Sequence, residues 1–474
     1  MKSSPKILII IVTWNKKEYV IDLLNSLSGI NFPREQFDIL VIDNASTDGT
    51  IEALEAQFSD IQIIKNPENI GGTGGFNTGL AWAFEQPEGQ YDYLWLLDND
   101  VVVHQNALSE LVHTLEENAD IAIVGSTMMQ LDFPWRINEM GAFVNQQNGA
   151  LLFHRHFEEV PSWKGKSIQE LLTGNADLSQ LLMHCQDKMD VDYVAAASLL
   201  IRAPVAKKAG LWMDFFIHFD DVEWCLRIGK AGHRIAVSGK SLIWHLSAMA
   251  KIPSWILYYD NRNILYLLEK YSNTPEAAIK MSSQWTLKKA LYYQVIGKQD
   301  LSELHIQAIT DYRQNIQGKK DIQLPYKFEK ISNLESVLSD PTIKKVLIPW
   351  TINMQASNIQ GIIVQSLKQR PELEVTYIAA PHNVQRNLPN LANVSLRELP
   401  ARFVLRYIQY YRMRNQFDLV FQSDYQVIRP LSWIAPKNLF VNDENYCLRP
   451  APTLSGVIDR LSEVVKLWFQ SDHK

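Results

Sequence analysis

Residues 93–103 have the sequence Tyr93-Leu94-Trp95-Leu96-Leu97-Asp98-Asn99-Asp100-Val101-Val102-Val103. The apolar runs on both sides of two carboxylates predict a buried strand in a sheet that is covered on both faces. Unpaired charge is costly inside a core, so Asp98 and Asp100 require a partner. A divalent cation would suit them, because ligands of α/β sheets bind at the carboxyl ends of the strands. A turn rich in Asp and Asn that closes a hairpin is the alternative.

Strands alternate with helices on both sides of this stretch. The sequence predicts strands at 7–12, 37–42, 61–64 and 121–125, and helices at 17–27, 51–58, 76–84 and 106–117. Such alternation is typical of βαβ units and therefore of a mainly parallel sheet. Further along we expect a hairpin and loops between 130 and 189, a strand at 191–201, helices at 204–209 and 222–231, strands at 234–237 and 242–245, and helices between 254 and 293.

The composition describes a soluble globular protein, with 46% hydrophobic and 21% charged residues in a chain of 474. That length exceeds one ordinary domain, so two or three are expected. The net charge of −6 gives no general attraction to nucleic acid. Cys185, Cys225 and Cys447 form no C-x-x-C pair, which argues against a disulfide framework or a zinc site and favours a reducing compartment. The apolar run 7–12 is too short to span a bilayer.

Four polar loops follow predicted strands. They contain Thr13 with Asn15, residues 43–48, residues 66–75, and Asp98 with Asp100. In a parallel sheet these loops would meet at one edge, which is where nucleotides bind. The Asp43 carboxylate suits a pyrimidine edge or a ribose, and the glycines of 71–75 would let a diphosphate approach the backbone. An ordinary turn and helix N-terminus is the alternative interpretation of those glycines.

Six segments in the first 270 residues form an ordered set of motifs. They are 13–15, 41–49, 69–77, 97–100, 216–227 with Gly232-His233, and Trp244-His245 with 258–263. The set resembles the motifs of glycosyltransferase family 2, in the branch of rhamnosyltransferases and galactofuranosyltransferases that build bacterial surface polysaccharides. The resemblance covers residues 6–270 and nothing past residue 300. It implies a GT-A fold, that is, a mainly parallel α/β sheet flanked by helices, and an inverting, metal-dependent transfer from a nucleotide diphosphate sugar.

The resemblance also implies roles for single residues. The donor-binding residues would be Thr13, Asn15, Asp43, Asn44, Asn69, Gly71, Gly72 and Asp98. Asp100 and His245, together with Asp98, would hold Mn²⁺ or Mg²⁺, and Asp221 would be the catalytic base with Asp220 as the alternative. The donor would be UDP-galactofuranose or dTDP-rhamnose, and the acceptor a glycan or a lipid-linked glycan. Ala195-Ala196-Ala197-Ser198 departs from the family, which usually has a glycine there.

The chemistry of these side chains agrees with such a reaction. Inversion by direct displacement needs a carboxylate to take the proton of the acceptor hydroxyl. A divalent cation neutralises the charge of the leaving diphosphate, and carboxylates with one histidine suit Mn²⁺ or Mg²⁺. The alternatives are helix capping for Asp220 and Asp221 and a core position for His245. We interpret His218 and His233 as structural.

The sequence predicts a GT-A domain at 1–270, a helical connector at 271–317 and a smaller α/β domain at 318–474. Residues 318–321 mark a linker, and the second βα pattern has strands at 345–350, 373–379, 417–422 and 438–441 and a helix at 359–369. Pro349-Trp350-Thr351-Ile352-Asn353 stands where a phosphate loop would be, so we expect no donor binding there. The basic, aromatic segment 402–414 suits a membrane surface or a lipid diphosphate, and the alternative is a packed helix with a solvated basic edge.

Three other functions are weighed against this one. A sugar-phosphate nucleotidyltransferase would need a glycine-rich, basic loop after the first strand, where Thr13-Trp14-Asn15-Lys16 stands. A dehydrogenase is disfavoured because Asn77 replaces the last glycine of G-x-G-x-x-G. A non-catalytic nucleotide-sugar-binding scaffold is disfavoured by the intact carboxylates and His245. We expect a cytoplasmic protein. The sequence leaves open whether it contacts the inner face of the plasma membrane and whether it forms a homo-oligomer.

Overall fold

The computed structural model describes residues 5–173, 181–182, 188–246, 255–322, 329–331, 333–350, 359–379, 388–423, 430–442 and 445–469. The chain divides into two compact units. Unit 1 consists of Met1–Ile252, Tyr259–Ser282 and Asp311–Asp321, and unit 2 consists of Pro253–Tyr258, Ser283–Thr310 and Ile322–Lys474. Among the described residues, no helix combines the length and the apolarity that a membrane span requires.

The first part of the chain alternates strands and helices as predicted. Its strands are β1 (Ile7–Thr13), β2 (Phe37–Asp43), β3 (Ile61–Lys65), β4 (Tyr93–Asp98), β5 (Val101–Val103), β6 (Ile121–Gln130), β7 (Ile137–Glu139), β8 (Ala142–Val144), β9 (Leu151–Phe153), β10 (Lys188–Val191), β11 (Leu199–Arg202) and β12 (Arg234–His245). Its helices are α1 (Lys17–Ser28), α2 (Thr50–Gln57), α3 (Gly71–Glu85), α4 (Ala107–Glu117), α5 (Ile168–Thr173), α6 (Ala203–Ala209) and α7 (Asp220–Lys230). β8 and β9 form the hairpin expected between 130 and 189.

The strands of unit 1 form a large mixed sheet in the order β10-β12-β6-β11-β4-β1-β2-β3. β4, β1, β2 and β3 run parallel to one another, which confirms the parallel core. β1 is apolar at nearly every position because it is covered on both faces. Leu8 and Ile10 pack into one hydrophobic cluster, whereas Ile7, Ile9 and Ile11 pack into the other.

The turn at Asp98–Asp100 does not close a hairpin. β5, which follows it, pairs antiparallel with β12 and places Val101 opposite His245. The two carboxylates therefore stand at the crossing from the central strand β4 to the far strand β12, and the hairpin alternative is wrong.

Two elements differ from the sequence-based expectation. Helix α3 begins at Gly71, inside the segment expected to be a loop, because the absence of side chains lets it pack closely on β1. A Cβ at Gly75 would lie 2.3 Å from Val12 Cγ1, and one at Gly79 would lie 2.5 Å from Ile10 Cγ2. The single strand expected at 191–201 is two strands separated by a 3₁₀ turn at Ala196–Ser198.

The rest of the chain forms helices and a second sheet. The elements are α8 (Ile256–Tyr271), α9 (Pro275–Val295), α10 (Gln299–Arg313), β13 (Glu329–Ile331), α11 (Leu334–Leu338), β14 (Lys345–Pro349), α12 (Ile359–Gln369), β15 (Glu374–Ala379), β16 (Val394–Glu398), α13 (Phe403–Arg412), β17 (Leu419–Ser423), β18 (Lys437–Asn442), β19 (Asn445–Pro450) and α14 (Leu454–Phe469). α8, α9 and α10 contribute residues to both units. The domain boundaries at 270 and 317 stay a prediction.

The sheet of unit 2 has the order β13-β19-β18-β17-β14-β15-β16. Its five strands from β18 to β16 are parallel, and chain order reverses at β14, as in doubly wound sheets. This confirms the predicted second α/β fold. Residues 351–353, which were expected to replace a phosphate loop, lie outside the described residues.

Candidate active site

Asp98, Asp100 and His245 form a compact group whose geometry could hold a metal ion, and we call it the metal-binding group. The pairing of β5 with β12 brings the imidazole beside the two carboxylates. His245 Nε2 lies 3.1 Å from Asp100 Oδ1 and 3.6 Å from Asp98 Oδ2. One ligand atom of each residue lies within 4.8 Å of the others. Two carboxylates and one imidazole are a donor set that divalent cations accept, so these residues fit a metal ion.

The loops after β1, β2 and β4 are hydrogen-bonded to one another, as their predicted convergence requires. Asn15 donates its N–H to Ser46 Oγ at 2.9 Å, and its Oδ1 accepts the N–H of Thr47 at 2.7 Å. Thr13 Oγ1 accepts from Asn99 Nδ2 at 3.0 Å. These contacts place Thr13 and Asn15 at the same sheet edge as Asp98.

Asp43 is the last residue of β2, and its two carboxylate oxygens differ in their hydrogen bonding. Its Oδ2 accepts the N–H of Ser46 at 3.0 Å, whereas its Oδ1 is buried and has no hydrogen-bond partner among the described residues. The residue is only 2% exposed. Such an oxygen is costly to leave unsatisfied, and the N–H or hydroxyl of a bound nucleotide would satisfy it.

The glycine-rich start of α3 is held by asparagines. Asn44 Nδ2 donates to Gly71 O at 2.8 Å, and Asn69 Oδ1 accepts the N–H of Gly71 at 2.9 Å. A Cβ at Gly71 would lie 2.1 Å from Phe216 O, whereas one at Gly72 would meet no described heavy atom within 4 Å. The close approach of Phe216 and a φ of 78° are enough to require glycine at 71. Donor binding by these four residues stays a prediction.

Asp220 and Asp221, the first residues of α7, have different surroundings. Asp220 is 6% exposed, and its Oδ2 accepts from the Thr73 hydroxyl at the start of α3. Asp221 is half-buried, and its Oδ2 accepts the N–H of Ala196 at 3.1 Å and the hydroxyl of Tyr193 at 3.3 Å. The 3₁₀ turn that was not predicted therefore has a role, since it aims the Ala196 N–H at Asp221.

Both carboxylates also accept a backbone N–H from the first turn of α7. Asp220 Oδ1 accepts from Asp221 at 3.1 Å, and Asp221 Oδ1 accepts from Val222 at 2.8 Å. Neither residue is the N-cap of α7, which is Phe219 and makes no side-chain capping hydrogen bond, so the capping alternative is wrong for both. These contacts use one oxygen of each carboxylate and leave the second for other partners.

The pKa values of this pair are raised. Burial raises the pKa of Asp221, the Asp220 carboxylate raises it further, and Asp98 adds a smaller contribution. Burial also raises the pKa of Asp220, while the Thr73 hydrogen bond opposes the shift. Two carboxylates so close tend to share one proton. β11 pairs with β4 so that Leu199 lies opposite Leu96, and the turn at Ala196–Ser198 that holds Asp221 therefore lies at the same end of β4 as Asp98.

His218 and Glu139 are ionisable groups near the site that the motifs do not single out as functional. His218 Nδ1 lies 2.7 Å from Asp260 Oδ1. Although burial opposes a charged imidazole, the Asp260 carboxylate raises the pKa of His218 to about 9. Burial raises the pKa of Glu139 to about 7, against the opposing effect of His245. The ion pair agrees with a structural role for His218.

Comparison with known proteins relates the first part of the chain to a glycosyltransferase family. The model for glycosyl transferase family 2 matches residues 8–164. Galactofuranosyltransferase GlfT2 of Mycolicibacterium smegmatis is 22% identical over 393 residues, which cover 77% of this chain and 58% of the relative. Poly(ribitol-phosphate) beta-N-acetylglucosaminyltransferase TarS of Staphylococcus aureus is 27% identical over 122 residues, which cover 25% and 20%. The chain spans about half the length of the curated relatives it matches.

Among solved structures, S. aureus TarS 1–349 superposes with a TM-score of 0.42 at 16% identity, over 65% of this chain and 80% of that one. The family match lies in unit 1 and covers β1 to β9, and with them the loops after β1 and β2 and the Asp98–Asp100 turn. Together with the mostly parallel sheet, it confirms the predicted GT-A class of fold. Residues 8–164 of this chain therefore match a glycosyl transferase family 2 domain.

Proposed function

We propose that this chain is an inverting, metal-dependent glycosyltransferase that takes its sugar from a nucleotide diphosphate donor. The observation that carries the proposal is the juxtaposition of the group Asp98, Asp100 and His245 with Asp221, a carboxylate whose pKa is raised. Direct displacement at a sugar carbon needs a neutralised leaving group on one side and a proton acceptor on the other. These residues would supply both functions at one sheet edge.

The nucleotide would bind at the loops after β1 and β2. The unpartnered Asp43 Oδ1 would accept a hydrogen bond from the base or the ribose. Thr13 and Asn15 line the same edge, and the open surroundings of Gly72 suit the diphosphate. The partly exposed Asp98 would reach both the ribose and the metal.

Asp98, Asp100 and His245 would hold Mn²⁺ or Mg²⁺. When bound, the cation acts as a Lewis acid that neutralises the charge of the departing nucleoside diphosphate. The protein contributes a fixed arrangement of oxygen and nitrogen ligands, since the β5–β12 pairing sets the distance between His245 and the two carboxylates.

Asp221 would take the proton of the acceptor hydroxyl. The Asp220 carboxylate raises its pKa, and the N–H of Ala196 and the hydroxyl of Tyr193 hold its Oδ2 in place. A base with a raised pKa accepts a proton more readily near neutral pH than an ordinary aspartate does.

The names of the relatives support a sugar and an acceptor class. GlfT2 is a galactofuranosyltransferase, which favours UDP-galactofuranose as the donor here, with dTDP-rhamnose as the second choice. TarS acts on poly(ribitol-phosphate), as its name states. We therefore infer a growing glycan or a lipid-linked glycan at the cytoplasmic face of the membrane as the acceptor.

The test is hydrolysis and transfer across a panel of nucleotide sugars, with and without a chelator. We expect turnover of one donor, loss of that turnover in excess chelator, and loss in Asp100→Ala without a change in melting temperature. Asp22→Ala, which removes an exposed carboxylate on α1, is the matched control. Full turnover in excess chelator contradicts the metal assignment. Pyrophosphate release from a nucleoside triphosphate and a sugar phosphate would instead identify a nucleotidyltransferase, and binding without turnover a scaffold.

A further inference from the structure

The five residues before α7 have an unusual backbone. Within residues 215–219, which we call the base loop, Phe216, His218 and Phe219 have φ angles of 68°, 62° and 65°. Left-handed backbone is unfavourable for residues other than glycine and persists only where the surroundings enforce it. The base loop leads directly into Asp220 and Asp221, so its conformation sets where both carboxylates lie.

The side-chain amide of Asn263 on α8 holds this loop. Its Nδ2 lies 3.2 Å from Phe215 O, 2.9 Å from Ile217 O and 3.0 Å from His218 O. The side chain is 0% exposed, so no water competes for these carbonyls. Asn263 Oδ1 accepts from Arg262 Nε at 3.0 Å, which fixes the amide with its nitrogen toward the base loop.

The base loop is also held from two other directions. Arg262, fully buried, donates from Nη2 to Phe215 O at 3.1 Å and from Nη1 to Gly318 O at 2.9 Å. On the side of α3, the N–H of Thr73 donates to Phe216 O at 3.2 Å. These contacts tie the loop to its neighbours at Phe215 and Phe216. The carbonyls of Ile217 and His218 are closer in the chain to Asp220 and Asp221. Among the described contacts, only the Asn263 amide donates to these two carbonyls.

We propose that Asn263 is a positioning residue for the Asp220–Asp221 pair. This inference rests on the proposed function, because it needs Asp221 to act as the base. The amide donors hold the carbonyls of Ile217 and His218 in the left-handed turn, and the first turn of α7 then delivers Asp221 to Ala196 and Tyr193. Without the amide, those buried carbonyls lose their donor, and the backbone relaxes toward negative φ and carries the carboxylates with it.

The experiment compares Asn263→Ala with wild type in the full chain, well below both melting temperatures. We expect kcat for transfer to fall by about 10- to 100-fold, as for a catalytic group displaced by about 1 Å. The Kd of UDP with Mn²⁺ should change less than about 2-fold, since the described contacts of the Asn263 amide go to the base loop and not to the loops after β1 and β2. The acid limb of the pH–rate profile should move to lower pH, because separated carboxylates raise each other's pKa less.

Asn393→Ala is the matched control, since the Asn393 amide also donates to two carbonyls, Leu367 O and Leu373 O, but in unit 2. It should leave kcat and the pH profile unchanged. If Asn263→Ala does not fold, Asn263→Ser, whose hydroxyl can donate to one carbonyl, should give an intermediate kcat and an intermediate pH shift.

A lower melting temperature with unchanged kcat and an unchanged pH profile would overturn the inference and leave Asn263 as a purely structural residue. Loss of UDP binding in parallel with kcat would also overturn it. Absence of turnover in wild type with every donor is a different result, because it overturns the proposed function itself.

Discussion

Asp220 and Asp221 are adjacent and identical in type, yet their surroundings give them different capacities. Asp220 is buried against the Thr73 hydroxyl, so it is poorly placed to reach an acceptor. Asp221 is more exposed and faces Tyr193. A base must lie within hydrogen-bond reach of the hydroxyl that it deprotonates, which favours Asp221. Asp220 would then act electrostatically, since after burial its charge is the next largest contribution that raises the pKa of Asp221.

Substitution of Asp221 tests this assignment. Asp221→Asn keeps the shape of the side chain and removes the proton acceptor. Turnover should therefore fall by about 10²- to 10⁴-fold while the affinity for UDP with Mn²⁺ is little changed. Steady-state kinetics and a binding titration on the same preparation check both expectations. The roles are exchanged if Asp220→Asn gives this loss and Asp221→Asn does not.

The direction in which kcat/KM depends on pH follows from the role proposed for Asp221. The carboxylate is the active form of the base, so kcat/KM should fall as pH decreases through the pKa of Asp221. Burial and Asp220 raise that pKa, so the fall begins at a higher pH than for an ordinary aspartate. Asp220→Asn removes the neighbouring charge and should move the acid limb to lower pH while turnover is retained.

Sequence reasoning at the residue scale succeeds where local chemistry is diagnostic. Asp98 and Asp100 follow an apolar strand, and a pair of carboxylates there has few structural uses. It fails where the reason for a residue lies far away in the chain. Gly71 is needed for the approach of Phe216, and Asn263 is needed for the carbonyls of the base loop. Neither contact leaves a periodic pattern in the sequence.

Strand pairing explains why His245 belongs to the metal-binding group. The sequence predicts short strands at 234–237 and 242–245, whereas β12 is continuous, with register shifts that include one between Ser238 and Leu242. The partner of β5 is β12, and such a long-range pairing cannot be deduced from the alternation of local elements. His245 was expected at the site through family resemblance, and the register supplies the physical reason.

The segment 311–321 is a second part of the chain whose contacts could not be predicted from local sequence patterns. The sequence predicts a linker at 318–321, and the structure places this segment in unit 1. Lys319 Nζ lies 3.0 Å from Glu68 Oε2 and donates to Asn69 O at 2.7 Å. Gly318 donates its N–H to Asp214 O at 2.8 Å. The segment therefore braces the loop before α3, whose residues Asn69 to Gly72 are donor-binding candidates.

Removal of the Lys319 side chain should weaken donor binding slightly. Lys319 is half-exposed, and an exposed ion pair contributes about 0.2–1 kcal/mol. Lys319→Ala should therefore raise the Kd of UDP with Mn²⁺ by at most about 5-fold without lowering the melting temperature. Lys368→Ala, which removes an exposed lysine on α12, is the control for loss of one positive charge. An unchanged Kd in Lys319→Ala would show that the brace does not act on the donor.

At the scale of the whole molecule, alternating strands and helices were enough to predict two α/β sheets. Buried parallel strands are apolar on both faces, so they are visible as short apolar runs with polar loops between them. The division of the chain was harder to predict. α8, α9 and α10 each serve both units, and helical periodicity shows that a segment is a helix without showing which core it packs on.

The basic, aromatic helix α13 is packed on one side and exposed on the other. Tyr410 and Met413 lie in a cluster on one face of the unit 2 sheet. Val404 and Tyr411 are 68% and 75% exposed, and Leu405 and Ile408 are about half-exposed. The packed-helix alternative thus accounts for only one side of α13. The exposed side combines apolar side chains with Arg412, and α13 contains no acidic residue, in a chain whose net charge is −6.

An exposed apolar face bordered by arginines suits an anionic bilayer. Arg406 donates to Pro400 O and Ala401 O, so it stabilises the start of α13 and should not be replaced. Arg402 and Arg412 are exposed and suit the test. Arg402→Ser with Arg412→Ser should weaken binding to phosphatidylglycerol vesicles by about 10- to 30-fold, since each basic residue contributes about 1 kcal/mol near such a surface.

Co-sedimentation with phosphatidylglycerol and with phosphatidylcholine vesicles measures this effect, and donor hydrolysis should not change in the double variant. Lys344→Ser with Lys368→Ser removes the same charge from two exposed positions outside α13 and is the control. Lys368 lies on α12, which packs on the opposite face of the sheet, and Lys344 directly precedes β14. Equal weakening in both double variants would show that net charge, not α13, determines binding. Loss of donor hydrolysis with an intact fold would mean that this part of unit 2 serves the donor, against the expectation that the second α/β fold does not bind it.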